Sequence, residues 1–398
     1  MTDPTRRSRP EHTGVPAPLL RRMPFAVWAA VGLFVMTMTL WTVAMPTYRP
    51  ADEYDHVSAV LSWEEDHEWP GFKELRLQDS VVESLEISGL RTSTPPIVIR
   101  PSLSVDNATA RPERPTFDEL GSGTVPKIDK AGQHPPLYYI LLGSIASILP
   151  GWMSWDLEVW VFRIVSVILM APLPLLAAAL ARRLGAGPKL TSAAAFSLLA
   201  VPQLAVGGGA VNNDNLLNAA GAWLALGTAL VLTGDLRKRT ALWMGLVSAV
   251  ALLTKAWSLP LFAVVCLIYV VSTVRTRSIR RGATALALFV CASALGGWWW
   301  VRNYLIYGAV QPAGHHSSLD TPLSSNATVA LVKEQFLEVF PTRFWSMLSI
   351  KYGLNAFPLW VPAVLSVTLL GTFALTLLLS PAVGVRRSDV ALLLLPAG

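Results

Sequence analysis

Residues 24–45 have the sequence PFAVWAAVGLFVMTMTLWTVAM, and residues 51–56, which follow after a short gap, have the sequence ADEYDH. The first stretch carries no charge and is long enough to cross a hydrocarbon core of about 30 Å as a helix. The second stretch places three carboxylates and a histidine where that helix should meet water. We call residues 51–56 the acidic hexad, and the rest of the chain can be organised around it.

The composition is that of a polytopic membrane protein. Hydrophobic residues make up 53% of the chain and charged residues only 15%, whereas soluble domains carry about 25% charged residues. The mean hydropathy is +0.46, and long apolar runs recur along the sequence, which is typical of several membrane-crossing helices. Cys266 and Cys291 both fall inside apolar runs, so we expect neither a disulfide nor a metal site from them.

The charge is divided unevenly along the chain. Residues 46–133 contain 16 acidic and 9 basic residues, so their net charge is −7. Because the net charge of the whole chain is +6, the remaining residues have a net charge of +13. The basic residues lie in short clusters between apolar runs, as the positive-inside rule predicts for cytoplasmic loops. This rule also predicts a cytoplasmic amino terminus. A nucleic-acid-binding protein would need its basic residues on one soluble face, so we predict no nucleic-acid partner.

These patterns predict an all-α polytopic membrane protein with about eight transmembrane helices and a partial ninth. Residues 1–23 form a disordered basic cytoplasmic tail, and residues 24–398 form a single transmembrane domain. Residues 46–133 are a large first extracytoplasmic loop with interfacial helices, and residues 302–357 are a second outer loop. The predicted crossings are residues 24–45, 159–181, 190–206, 215–233, two within 241–274, 282–301 and 358–380, and the partial ninth is residues 390–396.

The apolar stretch at residues 135–150 is too short for a comfortable crossing. The next crossing ends in Arg182, Arg183 and Lys189, which should be cytoplasmic. A single crossing from the outer loop reaches that side, whereas two do not. We therefore predict that residues 135–150 lie in the interface or re-enter the membrane on the outer side.

Polar residues recur at the predicted outer ends of these helices. Ionisable groups at the border of a membrane are costly, so they are candidates for function. Because they all fall on one side, we expect them to face a shared cavity. The catalytic candidates are Asp52 and Glu53, and the substrate-binding candidates are His56, His134, Tyr138, Asn213, Asp214, Lys255, Arg302 and Asn303.

Each candidate also has a purely structural interpretation. The hexad acids could be the solvated start of an interfacial helix, where acids complement the helix dipole. Asn213 could cap the following crossing, Lys255 could snorkel from an ordinary turn, and Arg302 could belong to an aromatic belt. We expect Asp55 to be solvated, and we predict no protein metal site.

Four motifs give the sequence a resemblance to a known group. They are the acid pair after the first crossing, HPPLYY at residues 134–139, TK at residues 254–255, and WWVRNY at residues 299–304 with YG at residues 307–308. In this order they look like the C-superfamily (GT-C fold) of membrane glycosyltransferases. Within it, the chain is most similar to a large, mostly uncharacterised bacterial family of predicted membrane proteins.

The resemblance implies a function. In such enzymes an essential acid lies in the first outer loop, which maps by position onto Asp52, with Glu53 adjacent. The donor is a sugar on a polyprenyl phosphate, and the acceptor is a glycan, lipid or protein at the outer face of the bacterial cytoplasmic membrane. A single base with direct displacement predicts an inverting transfer. No cofactor is certain, although a divalent cation (Mg²⁺ or Mn²⁺) could bridge Asp52 and the phosphate.

Two other functions remain open on the sequence alone. A transporter or lipid flippase would need ionisable groups and broken helices near the middle of the membrane. The candidate residues collect at one face instead, although Pro172 and Pro174 interrupt the second crossing. The other alternative is a non-catalytic scaffold for the assembly of cell-envelope glycans.

Overall fold

The computed structural model describes residues 22–88, 90–91, 100–101 and 114–312, together with short stretches between residues 330 and 368. The predicted cytoplasmic tail falls almost entirely outside these residues. Most of the second outer loop, most of the eighth predicted crossing and the partial ninth also lie outside them. The division into one tail and one transmembrane domain stays a prediction.

The described chain consists mainly of helices. They are α1 (Phe25–Ala44), α2 (Glu53–Asp66), α3 (Asp79–Ile87), α4 (Leu137–Ala146), α5 (Trp155–Met170), α6 (Leu173–Arg183), α7 (Pro188–Phe196), α8 (Pro202–Gly208), α9 (Asp214–Leu232), α10 (Lys238–Leu252), α11 (Ser258–Thr276) and α12 (Ile279–Tyr307).

Short antiparallel strands accompany the helices. The strands β1 (Arg76–Gln78), β2 (Leu90–Arg91), β3 (Arg100–Pro101), β4 (Thr124–Ile128), β5 (Met347–Ser349) and β6 (Leu354–Asn355) pair as β1 with β4, β2 with β3, and β5 with β6. The sequence predicted an all-α protein with interfacial helices in the first outer loop. That prediction was incomplete, because alternation over a few residues is too short to distinguish β4 from a loop.

Within the described part of the chain, five helices are long and apolar enough to cross a membrane, or six if one bent pair counts as a single span. They are α1, the continuous pair α5–α6 over residues 155–183, α9, α11 and α12. Their positions match the predicted crossings to within a few residues, because long apolar runs between charge clusters are local signals. The chain is therefore a helical polytopic membrane protein, and the count of eight helices stays a prediction.

The predicted crossing at residues 190–206 is a bent pair rather than a straight helix. Residues 188–200 and 202–208 meet at an angle of 67°. Pro202 begins the second piece, and its ring clashes with the preceding turn and removes a backbone donor. The prediction from hydropathy did not take this proline into account.

The apolar stretch at residues 241–274 is two helices, as predicted. The helix α10 ends at Leu252 and α11 begins at Ser258, so the turn lies around Lys255. The helix α12 continues six residues beyond the predicted end of its crossing. Arg302 therefore lies in a helix, which ends at Gly308 in the left-handed conformation with φ +69°.

The helix that carries the hexad is buried rather than solvated. Every residue of α2 from Glu53 to Ser62 is buried. A large apolar cluster joins α2 to α4 and the start of α5, and its largest fully buried members include Trp155, Tyr138 and Tyr139. The short helix α4, which the sequence placed in the interface or a re-entrant position, thus packs directly on the hexad helix.

Small residues let α10 and α12 approach each other closely. A Cβ atom built on Gly245 would lie 2.5 Å from that of Ala292, and one built on Gly296 would collide with the carbonyl oxygen of Ala249. Close backbone contact through small residues is a common way for helices to associate in membranes, where apolar side chains gain little by leaving lipid. This contact fixes the end of α10 that leads to Lys255.

Replacing Gly296 by valine should therefore lower the thermal unfolding temperature of the detergent-purified protein. Overpacking of a tight contact typically costs about 1–3 kcal/mol. Gly297→Val is the matched control, because a Cβ atom at Gly297 meets nothing within 4 Å. Equal unfolding temperatures for the two variants would contradict the proposed packing.

Candidate functional site

The ion pair between Glu53 and Arg163 lies at the base of the hexad. Both side chains are almost fully buried, at 0% and 2% exposure. Arg163 Nε donates to Glu53 Oε1 at 2.8 Å and Arg163 Nη2 donates to Oε2 at 2.6 Å. This bidentate geometry is the strongest hydrogen-bonded arrangement of an arginine and a carboxylate.

The same two side chains also satisfy backbone groups. Glu53 Oε2 accepts from the backbone N–H of Tyr48 at 2.8 Å, and Oε1 accepts from that of Val211 at 3.0 Å. Arg163 Nη1 donates to the carbonyl oxygens of Thr42 and Met45 at 2.9 and 2.7 Å. Arg163 thereby caps the carboxyl end of α1, where carbonyls have no partner within the helix.

These contacts favour a positioning role for Glu53. Its two oxygens already accept four hydrogen bonds, so little capacity is left to take a proton from a substrate. Arg163 was not among the candidate residues named from the sequence. Its partner is 110 positions away along the chain, and no local pattern identifies it.

The neighbouring residue Asp52 has a different environment. It precedes α2 in the left-handed conformation, with φ +57°, which is uncommon for a residue other than glycine. Its side chain is half-buried. Burial lowers the pKa of His134, and the charge of Asp52 partly opposes that effect. Strained backbone of this kind is concentrated at functional sites.

A hydrogen-bonded chain links three further segments to the hexad. His56 Nδ1 lies 3.0 Å from the hydroxyl oxygen of Tyr139, and the side-chain amide of Asn213 donates to that oxygen at 3.5 Å. The hydroxyl group of Tyr139 therefore bridges His56 and Asn213. The ring of Tyr139 also stacks on Trp69, with centroids 4.7 Å apart.

The predicted substrate-binding residue Tyr138 lies next to Tyr139, and its hydroxyl group has a different partner. Tyr138 is fully buried, and its hydroxyl lies 3.3 Å from Ser166 on α5. Its neighbour Tyr139 is the residue that reaches His56. Consecutive helical residues point about 100° apart, and the HPPLYY motif alone does not say which tyrosine faces the hexad.

His134 is held neutral beside this chain. It is 8% exposed, and its pKa is lowered to about 3, first by burial and then by the charges of Lys255 and His56. Its Nδ1 atom has no hydrogen-bond partner among the described residues, and the same is true of Asn213 Oδ1. Buried polar atoms are nearly always paired, so these two mark places where a ligand or water would bind.

An ion pair completes the cluster. Lys255 Nζ donates to Asp214 Oδ1 at 2.7 Å, and both side chains are partly exposed, at 20% and 43%. The turn that carries Lys255 is fixed by two further contacts. Asn213 donates to the carbonyl of Thr254 at 3.4 Å, and the backbone N–H of Leu137 donates to the carbonyl of Leu253 at 3.2 Å.

A cavity of about 280 Å³ lies beside these groups. Its polar wall includes Asn212 and Asp214, and Ala51 of the hexad lines it next to Asp52. Its apolar wall comes from the end of α5 and from the bent pair, including Met170 and Leu204. One space therefore borders both a polar cluster and membrane-embedded helices.

Two predicted residues stand apart from the cluster. The guanidinium group of Arg302 lies 5.0 Å from the ring centre of Trp299 and donates to Asn303 at 3.3 Å. Asn303 donates to the carbonyl of Val310 at 3.3 Å. Within the described part of the chain no hydrogen bond or ion pair connects them to Lys255 or His134, although Trp300 donates to the carbonyl of Leu252 at 2.9 Å.

The expectation that Asp55 is solvated was wrong. Asp55 is 1% exposed, because α2 packs its first turns against the β1–β4 sheet, and it lies close to the equally buried Asp129. Sequence reasoning missed Asp129 entirely, since a lone acid after a short strand carries no signal.

The described residues do not form a metal centre. No group of three or more histidine, cysteine, aspartate or glutamate side chains converges at metal-binding geometry within them.

These observations define the class of protein as a helical membrane protein with a polar cluster at one end of its helices. The chain belongs to the family described as predicted membrane protein (DUF2142), which matches residues 34–395. No curated protein and no solved structure shows significant similarity to it.

Replacing Arg163 by glutamine should strongly destabilise the protein. The change leaves the buried carboxylate of Glu53 without its cationic partner and removes the cap of α1. Breaking such a buried pair typically lowers the free energy of unfolding by about 3–5 kcal/mol. Arg239→Gln is the matched control, since Arg239 is exposed and substitutions of exposed residues usually change stability by only about 0.5 kcal/mol or less. Unfolding in mixed detergent micelles measures both.

The double variant Glu53→Gln/Arg163→Gln tests whether Glu53 and Arg163 stabilise the protein jointly rather than independently. It removes both charges together, so it should be less destabilised than the sum of the two single variants. Simple additivity of the two effects would show that the pair does not act as a unit.

Proposed function

We propose that the protein is a membrane glycosyltransferase that moves a sugar from a polyprenyl-phosphate donor to an acceptor at the outer face of the bacterial cytoplasmic membrane. The observation that carries the proposal is the meeting of four separate chain segments. The hexad, the start of α4, the start of α9 and the α10–α11 turn bring Asp52, His134, Asp214 and Lys255 to one region. A cavity with an apolar wall adjoins it.

Asp52 is the proposed general base. An acceptor hydroxyl would give its proton to the Asp52 carboxylate while its oxygen bonds to the anomeric carbon. The bond from that carbon to the phosphate oxygen breaks at the same time, and the electron pair leaves with the polyprenyl phosphate. Attack from the face opposite the leaving group inverts the anomeric centre, and a positioned base of this kind contributes about 10²–10⁴-fold.

Lys255 is the proposed partner of the phosphate. An ammonium group has three donors, and Asp214 occupies one of them. The remaining N–H groups could neutralise charge on the leaving phosphate, which needs a cation more than an acid. Asp214 would hold Lys255 in place between turnovers.

The unpartnered acceptors suit sugar hydroxyls. A neutral imidazole and an amide oxygen accept hydrogen bonds from hydroxyl groups, and His134 Nδ1 and Asn213 Oδ1 are both available for this. A site built to pair hydroxyls discriminates well against analogues that lack them. His56, oriented by Tyr139, would help to define the same pocket.

A lipid transporter is the second candidate, and one observation favours it. The bent pair breaks at Pro202 within an apolar segment and lines the cavity, and broken helices are typical of transporter binding sites. The ionisable candidates nevertheless lie in turns and at helix ends rather than at the centres of the spans, which favours the enzyme.

Transfer of labelled sugar from polyprenyl-phosphate donors by the purified protein tests the proposal. Asp52→Asn should reduce the rate by at least 100-fold, since the amide cannot accept the proton. Asp66→Asn, an exposed acid at the far end of the same helix, is the matched control and should keep the wild-type rate. Full activity of Asp52→Asn would contradict the assigned base.

The same purified protein, reconstituted into proteoliposomes, distinguishes a lipid transporter from a glycosyltransferase. Wild-type protein that moves labelled lipid across proteoliposomes without transferring the sugar would favour the transporter over the enzyme.

A further inference from the structure

A second cavity lies at the end of α1 that leads into the hexad, and its volume is about 320 Å³. It is lined by the last turn of α1, the start of α5 and the end of α3, together with Arg114. Among the described residues, none lines both this cavity and the one beside Lys255 and Asp214. The two spaces are therefore separate, and the proposed sugar transfer leaves this second cavity without a role.

One side of this cavity is apolar and exposed. Both α1 and the α5–α6 pair are long and apolar enough to cross a membrane. Of the residues that line the cavity, Val43 is 73% exposed, and Leu157 and Trp160 are exposed as well. Tryptophan is enriched where a membrane-crossing helix meets the head groups of the lipids. These residues indicate that the cavity lies at the level of the head groups.

The polar side of the cavity has one cation with unused hydrogen-bond donors. Arg114 Nη1 donates to Asp156 Oδ2, and Arg114 makes no other hydrogen bond to a described residue. Its side chain is 31% exposed, so its remaining N–H groups can bind a ligand. Arg163 also lines the cavity, but it already makes five hydrogen bonds to protein oxygens. Arg114 is therefore the cation that a ligand would meet.

A buried tryptophan supplies an independent donor. Trp155 lines the cavity and is 1% exposed, and its indole N–H group has no hydrogen-bond partner among the described residues. Its ring stacks on that of Tyr48, with centroids 5.7 Å apart, and the guanidinium carbon of Arg114 lies 5.6 Å from its ring centre. Buried polar atoms are nearly always paired, and an indole can only donate. A ligand that satisfies both residues must therefore supply acceptors.

We propose that this cavity binds the phosphodiester head group of a membrane phospholipid, whose acyl chains lie along the exposed apolar side chains of α1 and α5. The oxygens of a phosphodiester only accept hydrogen bonds, and the planar guanidinium group of an arginine matches them well. The carboxylate of Asp156 repels a free phosphate ion more strongly than a phosphodiester, which carries a single negative charge. The apolar side of the cavity likewise fits a lipid.

A bound lipid should stabilise the folded protein. Its head group would join Arg114 in the first loop to Trp155 at the start of α5, and its chains would cover the end of α1. A ligand that binds only the folded state raises the free energy of unfolding. Stabilisation by lipid is therefore a readout of this site that does not involve glycosyl transfer.

Lipid titration of the detergent-purified protein tests the proposal, with the thermal unfolding temperature as the readout. Dioleoyl phosphatidylglycerol should raise this temperature until the site is saturated. Dioleoylglycerol, which has the same acyl chains and no phosphate, should not. Arg114→Gln and Trp155→Phe should each weaken the apparent affinity for phosphatidylglycerol by about tenfold, because hydrogen bonds to a charged group are worth more than neutral ones. The matched controls Arg239→Gln and Trp152→Phe replace exposed residues outside the cavity and should keep the wild-type affinity.

Three results would overturn the proposal. Equal stabilisation by dioleoylglycerol would show that the phosphate is not recognised, and equal stabilisation by inorganic phosphate would show that the site takes a free ion. Wild-type affinity in either cavity variant would show that the replaced side chain does not bind the head group. Because affinities are compared, a variant that is less stable without lipid is still informative, and Trp155→Phe decides alone if Arg114→Gln does not fold.

Discussion

The structure around the hexad depends on the buried ion pair between Glu53 and Arg163. Arg163 on α5 caps α1, and Glu53 accepts from the backbone of Val211 just before α9. One pair therefore joins three membrane-embedded elements to the start of α2. Desolvating both charges is costly, and the geometry recovers that cost through four bonds to the carboxylate and three backbone carbonyls at the guanidinium group.

That constraint places the other polar groups. With α2 fixed, His56 meets Tyr139 on α4, and Tyr139 meets Asn213 at the start of α9. Asp214 then forms an ion pair with Lys255 in the turn between α10 and α11. The close packing of α10 on α12 holds this turn in place. The polar cluster is thus a consequence of helix packing. The proposed function assigns a ligand to His134 Nδ1 and Asn213 Oδ1, which have no hydrogen-bond partner among the described residues.

Much of the fold could be predicted from the sequence because its signals are local. Apolar runs bounded by basic clusters located α1, α9, α11 and α12. The length of residues 241–274, together with the basic residues at both ends, divided that stretch into two helices. The partners of the polar residues could not be predicted, since Glu53 and Arg163 are joined only by folding. The choice between Tyr138 and Tyr139 depends on helix rotation, and the burial of Asp55 depends on the short sheet, for which the sequence gives no clear pattern.

A cryo-electron microscopy map of the protein with a non-transferable polyprenyl-phosphate-sugar analogue tests the central claim most directly. The account predicts the phosphate within hydrogen-bond distance of Lys255, the sugar hydroxyls against His134 Nδ1 and Asn213 Oδ1, and the anomeric carbon facing the approach to Asp52. The isoprenoid chain should follow the apolar wall formed by α5 and the bent pair. Density for the analogue at another site, with the Lys255–Asp214 pair unoccupied, would contradict it.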